Sequence, residues 1–100
     1  MGKRLITILL VLLTIGVQVF AQSAVSGKVT DKTGEPLVGA GVLVKGTTSG
    51  TTTDLDGKFS LQGLKQNAVL VFSSIGYETQ EVTVGNQTVI NVTLNEEAEF

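Results

Sequence analysis

The chain has 100 residues, 42% of them hydrophobic, with seven basic and nine acidic side chains, a formal net charge of −2 and no cysteine, histidine or tryptophan. That length supports one small domain with a thin margin of stability, and the missing cysteine excludes both a disulfide and a lipid-modified N-terminal cysteine. The few scattered lysines exclude the clustered basic surface on which nucleic-acid binding depends.

Lys3 and Arg4 precede an apolar run from Leu5 to Phe20, which ends at Ala21-Gln22. A cationic start, an apolar stretch and a small residue at the end are the marks of an export leader. The run contains Thr7, Thr14, Gly16 and Gln18 and falls short of the roughly 20 apolar residues of a spanning helix. Residues 1–21 are therefore expected to be a signal peptide cleaved after Ala21, with a retained membrane anchor as the alternative. Export removes Lys3 and Arg4 and leaves five lysines (Lys28, Lys32, Lys45, Lys58 and Lys65) against nine acids. That acidity favours solubility.

From residue 22 the pattern is one of strands and turns. Val25, Gly27 and Val29 alternate with Ser26, Lys28 and Thr30, as in a strand with one buried face. Asp31-Lys-Thr-Gly34 is a turn, and Pro36 suits a strand edge. Ala40, Val42 and Val44 share one face of the next strand. Gly46-Thr-Thr-Ser-Gly50 is a loop, and Thr51 to Thr53 a short exposed edge. Asp54-Leu-Asp-Gly57 reads as a tight hairpin, with Phe59 and Leu61 facing inward on the return strand.

Ala68 to Ile75 is almost continuously apolar and suggests a central strand covered along most of its length. Gly76-Tyr77 marks a corner. Val82 and Val84, then Ile90, Val92 and Leu94, alternate with polar residues on either side of the turn Gly85-Asn86-Gln87. The remainder, Asn95 to Phe100, loses the pattern and reads as solvated. About seven short strands with closely spaced turns imply an all-β antiparallel sandwich.

Catalytic chemistry has little to draw on. The usual neutral-pH base is histidine, and a nucleophile needs a base beside it. Asp54 and Asp56 are the closest acid pair outside the tail, and in a turn aspartate commonly bonds its own backbone. Thr52, Asp54, Asp56 and Gly57 fall in the spacing of a calcium loop, but Thr52 replaces the first acid and Gly63 stands where a bidentate glutamate is required. Gly46 to Gly50 lacks the Lys-Ser/Thr ending of a phosphate loop. Asn86-Gln-Thr88 and Asn91-Val-Thr93 match a glycosylation sequon that chance often produces. Tyr77 is expected to plug one end of the sandwich, with its hydroxyl on a backbone group. No catalytic, cofactor-binding or metal-ligating residue is expected, and no cofactor.

Four motifs in order carry a family likeness: Val25-Ser-Gly-Lys-Val-Thr-Asp-Lys-Thr-Gly-Glu-Pro-Leu-Val-Gly-Ala40, Val44-Lys-Gly-Thr47, Thr53-Asp-Leu-Asp-Gly-Lys-Phe-Ser60 and Ser74-Ile-Gly-Tyr-Glu-Thr-Gln80. Over residues 22–95 they resemble the carboxypeptidase-regulatory-like domain, and more narrowly the N-terminal extension of SusC/RagA-type TonB-dependent outer-membrane transporters of Bacteroidota. The resemblance implies a seven-stranded transthyretin-like or immunoglobulin-like sandwich, in the periplasm and associated with the outer membrane. It implies a non-enzymatic part that lies ahead of a TonB-contacting segment, a plug and a barrel, with those elements, the TonB system and a surface lipoprotein as partners. Residues 96–100 then look like the start of an acidic linker. The sequence stops at Phe100, so transport is not expected of these residues alone.

The leading expectation is a module that works by touching other proteins, with residues 51–53 and the first strand as candidate free edges for an added strand. An exported carbohydrate-binding module is the alternative; few aromatic residues remain to stack on a sugar. An exported enzyme subunit is more remote.

Overall fold

The computed structural model describes residues 23–98. The expected leader and Phe100 lie outside them. Seven strands are formed and, among the described residues, no helix: β1 (Ser23–Thr30), β2 (Gly41–Val44), β3 (Gly50–Thr52), β4 (Lys58–Leu64), β5 (Val69–Ser73), β6 (Gln80–Thr83) and β7 (Val92–Thr93). They build a three-stranded sheet ordered β4-β1-β7 and a four-stranded sheet ordered β3-β2-β5-β6. The expected all-β, seven-stranded immunoglobulin-like sandwich is the observed architecture.

One pairing departs from an all-antiparallel plan. β7 runs parallel to β1, pairing Val29 with Val92 and Thr30 with Thr93. After β6 the chain crosses to the other sheet and meets β1 at its beginning, where Ser26 bridges Val89. It must then ascend in the same direction as β1.

The core follows the period of two. Val25, Val29, Phe59, Leu61, Ile90, Val92 and Leu94 are buried from the side of the three-stranded sheet. Ala40, Val42, Leu70, Phe72 and Val84 meet them from the other. Each of these Val, Leu, Ile and Phe side chains contributes about 1.5–3 kcal/mol by leaving water. Phe59 and Phe72 meet edge to face across the layers, with ring centroids 5.3 Å apart and planes at 71°. Leu61 and Leu64 have opposite parity, yet both are buried. A bulge between Ser23 and Val25 shifts the register by one residue and so turns both inward.

Two stretches of like sequence make the same turn. At Asp31–Glu35 the Gly34 N–H donates to the Asp31 carbonyl and the Asp31 N–H to the Glu35 carbonyl. At Asp54–Lys58, Gly57 and Asp54 repeat both bonds with Asp54 and Lys58. In each, the aspartate carboxylate accepts from the N–H two and four residues on. Gly34 and Gly57 have φ of 87° and 73°, values that a residue with a β-carbon adopts only at a cost.

The second turn is not the expected hairpin. β3 pairs with β2 and β4 with β1, so Asp54–Gly57 carries the chain from one sheet to the other. The first strand is not an edge either, since β4 and β7 occupy both its sides. Ile75 is not part of the central strand. β5 ends at Ser73, and Ile75 stands fully exposed in the loop that follows.

Candidate functional site

The sandwich has two ends of different character. At one lie the β2–β3 and β4–β5 loops and Ser23, which pairs with Leu64. At the other lie the β1–β2 loop, the turn at Asp54, the β5–β6 loop and the last described residues. The second end holds the loops of three of the four family-like motifs, and Val44–Thr47 lies at the first.

Thr53 organises this end. It is the one buried polar residue among those described. Its hydroxyl accepts the Ala40 N–H at 2.9 Å and donates to the Leu37 carbonyl. Its N–H donates to the Ala40 carbonyl, and its carbonyl accepts from Gly39. The β1–β2 loop is thereby fastened to the start of the Asp54 turn.

The tail beyond β7 is fastened as well. The Glu78 N–H donates to the Asn95 carbonyl at 2.8 Å and the Glu97 N–H to the Gly76 carbonyl at 2.9 Å. Tyr77 and Glu96 form an antiparallel bridge between those bonds. The Gln80 side chain donates to the Thr93 carbonyl at 2.7 Å and ties β6 to β7 across the layers. The side chains of residues 95–98 are exposed, but the backbone of residues 95–97 is paired rather than loose. Tyr77 is half-buried against the core, as its expected plugging role requires. Among the described residues its hydroxyl makes no hydrogen bond to the backbone.

Of the two candidate acids, Asp54 does structural work. Asp54 spends one carboxylate oxygen on the N–H groups of Asp56 and Lys58, and Gly63 lies at the far end of β4. Among the described residues no three His, Cys, Asp or Glu side chains are grouped to hold a metal. Asn91 of the second sequon serves the fold, because its side-chain oxygen accepts the Lys28 N–H at 3.0 Å. Asp31 sits among donors that favour its ionised form. Its carboxyl is held below the usual value, first by the Thr33 hydroxyl at 2.6 Å, against the opposing loss of hydration, and then by the N–H groups of Glu35, Thr33 and Gly34. Phe59 and Phe72 are buried and Tyr77 half-buried, so the described residues present no aromatic platform to a sugar.

Sheet edges, a cleft and a groove are open to contact with another molecule. β3 is a free edge, as expected for the threonine-rich piece, and β6 is the opposite edge of the same sheet. A cleft of about 440 Å³ opens at the first end, between Val44, Lys45, Leu64, Lys65 and Ala68. At the second end a shallow groove runs between Gly39, Ser74, Ile75, Tyr77 and Glu97. Val38, Leu55 and Ile75 project from the loops there, at 55% exposure for Val38, 82% for Leu55 and full exposure for Ile75. Sequence reading placed Ile75 in the covered central strand and gave Val38 and Leu55 no role. The available signal was Leu55, an apolar residue between two aspartates in a turn that offers it no core.

The family model of the CarboxypepD_reg-like domain matches residues 25–99. The TonB-dependent receptor SusC of Bacteroides thetaiotaomicron is 45% identical over 103 aligned positions, covering 99% of this chain and 10% of the receptor. TonB-dependent receptors P39 and P3 of Formosa agariphila are 47% and 46% identical, covering 77% and 93% of this chain and 7% and 10% of their own length. The chain thus spans about a tenth of the curated relatives it matches. Among solved structures, a putative membrane-associated protein of unknown function from Bacteroides fragilis superposes with a TM-score of 0.58 at 28% identity, over 79% of this chain and 30% of that one. A cohesin–X-dockerin complex from Acetivibrio cellulolyticus contains a chain that superposes with a TM-score of 0.54 at 23% identity, over 71% of this chain and 52% of that one. The second likeness is one of fold alone.

Proposed function

The chain belongs to the CarboxypepD_reg-like domain family, and from that premise we propose that it is a non-enzymatic accessory domain of a SusC-type TonB-dependent outer-membrane receptor, exported to the periplasm and working by contact with protein. The observation that carries this reading is the similarity to receptors of that type along nearly the whole chain. The side chains agree with it. The acids at Asp31 and Asp54 close turns, and the polar groups of Thr53 and Asn91 hold loops and strands together. Such a domain would act on its own receptor's plug or barrel, or on a periplasmic partner.

The test is removal of residues 22–95 from a receptor that contains them. Nutrient uptake should fall while the barrel still assembles in the outer membrane. Uptake equal to that of the intact receptor would overturn the proposal.

A further inference from the structure

Isolated exposed apolar side chains are ordinary on a protein surface. Here their placement is not scattered. Of the five large exposed hydrophobic residues among those described, Val38, Leu55 and Ile75 stand on three adjoining loops at one end of the sandwich. The Gly39–Thr53 hydrogen bond joins the loop of Val38 to the turn of Leu55. Gly39 and Ile75 line one groove.

The charge at this end is equally uneven. Seven of the eight described acids lie on its loops and tail: Asp31, Glu35, Asp54, Asp56, Glu78, Glu96 and Glu97. Lys32 and Lys58 share those loops, and Lys28 lies just inside on β1. The eighth acid, Glu81, is paired with Lys45 at 2.8 Å on the four-stranded sheet. The molecule is electrostatically polar along its strands, negative where the apolar tips project.

The tips are also held in place before any encounter. Asp54 closes the turn of Leu55 through two N–H groups. Thr53 fastens the loop of Val38. Ile75 lies within the turn closed by the Tyr77 N–H on the Ser74 carbonyl, and the tail fastens that turn through Gly76 and Glu78. Loops ordered in advance lose little freedom on binding, so more of the contact energy appears as affinity.

We infer that this end is a docking surface for a folded protein partner that offers an apolar pocket ringed by lysine and arginine. The inference rests on the accessory-domain reading above and names the surface that reading leaves open. Charge complementarity selects the partner. An acidic rim repels phosphate-bearing surfaces, which excludes nucleic acid and anionic lipid, whereas it steers and orients a basic protein face. Val38, Leu55 and Ile75 supply the central apolar contact, and the surrounding carboxylates form the polar rim that interfaces of this kind show.

The experiment places a photoreactive phenylalanine analogue at Val38, Leu55 or Ile75 of the full chain, in the cells that make it, with Leu43 and Val89 as exposed apolar controls. Cross-linked peptides are sequenced. The expected result is one protein joined at all three tips and at neither control, with the linked residues in an apolar patch flanked by Lys or Arg. Asp56→Lys with Glu78→Lys should cut the cross-link yield at least fivefold. Neither side chain takes part in closing the turns, so the melting temperature should stay unchanged. Raising the salt concentration during cross-linking should lower the yield in the unaltered chain as well, which tests the charge claim without any variant. Equal yield at the controls, no product at the tips, a yield insensitive to both charge and salt, or products with lipid or with a second copy of this chain would each overturn the inference. Loss of uptake on removing residues 22–95, with no product at the tips, would leave the accessory reading standing and remove this surface alone.

Discussion

The carbonyl oxygen of Ile90 stands 1.7 Å from the point that a β-carbon on Gly27 would occupy. The strand that ends in β7 therefore presses against β1 at a distance only glycine permits. The Ile90 carbonyl is aimed into the gap left by the missing side chain. The Lys28 N–H, which a regular parallel ladder would pair with that carbonyl, is instead met by the Asn91 side chain.

Gly27→Ala should be severely destabilising, because the obstacle is backbone and cannot rotate away. A loss of at least about 2 kcal/mol is expected, beyond the middle of the range for overpacked sites. Gly41→Ala is the matched control: its nearest neighbour is the Ser73 hydroxyl at 3.3 Å, which can move. Urea unfolding of the chain without its leader measures both. Equal midpoints for the two variants would contradict the close approach.

Asn91→Leu removes the acceptor for the Lys28 N–H and should cost about 0.5–1.5 kcal/mol, the net value of one solvent-exposed hydrogen bond. Asn91→Asp keeps an oxygen in place and should cost less. Amide exchange at Lys28 reports directly on this bond, and it should quicken in the leucine variant.

Thr53→Val leaves the Ala40 N–H and the Leu37 carbonyl without their buried partner. A loss of about 1–3 kcal/mol follows from unsatisfied buried groups, while Thr53→Ser should be close to neutral. Thermal unfolding of the three proteins would show the order wild type, serine, valine.

Asp31 should make the β1–β2 turn sensitive to acid. Its carboxyl is held below the ordinary value in the folded chain, chiefly by the Thr33 hydroxyl. Its stabilising contribution is therefore present above the unfolded carboxylate's pKa and is lost as pH falls through the lower folded value. The loss therefore falls below the ordinary carboxylate pKa of about 4. A carboxyl titration followed by NMR should give Asp31 a lower midpoint in the folded chain than in the urea-unfolded one, and Thr33→Val should narrow the difference.

Calcium titrated into the chain should release no saturable heat at micromolar concentration. One oxygen of Asp54 is already committed to two N–H groups, and Gly63 supplies no ligand. A tight site would show that the turn reorganises around the ion.

Local chemistry was legible from the chain alone. Alternation at Val25 and Val29, at Phe59 and Leu61, and at Ile90, Val92 and Leu94 assigned the buried faces, because side chains on a strand change face at every residue. The turns at Asp31 and Asp54 were legible too, since an aspartate followed by glycine three residues later satisfies its own backbone. What such a turn connects was not. Asp54–Gly57 makes the same bonds whether its flanking strands pair with each other or part into different sheets.

The family likeness and the inward faces of the strands were thus written in residue identity and spacing, which are properties of the chain itself. Partner choice was settled only on folding: β7 beside β1 in parallel, β1 in the middle of its sheet, Ile90 against Gly27. So was the gathering of Val38, Leu55 and Ile75 at one acidic end. Each of these brings together residues far apart in sequence. No local preference encodes such a meeting; it arises when two sheets bury their apolar faces against each other and the loops must follow.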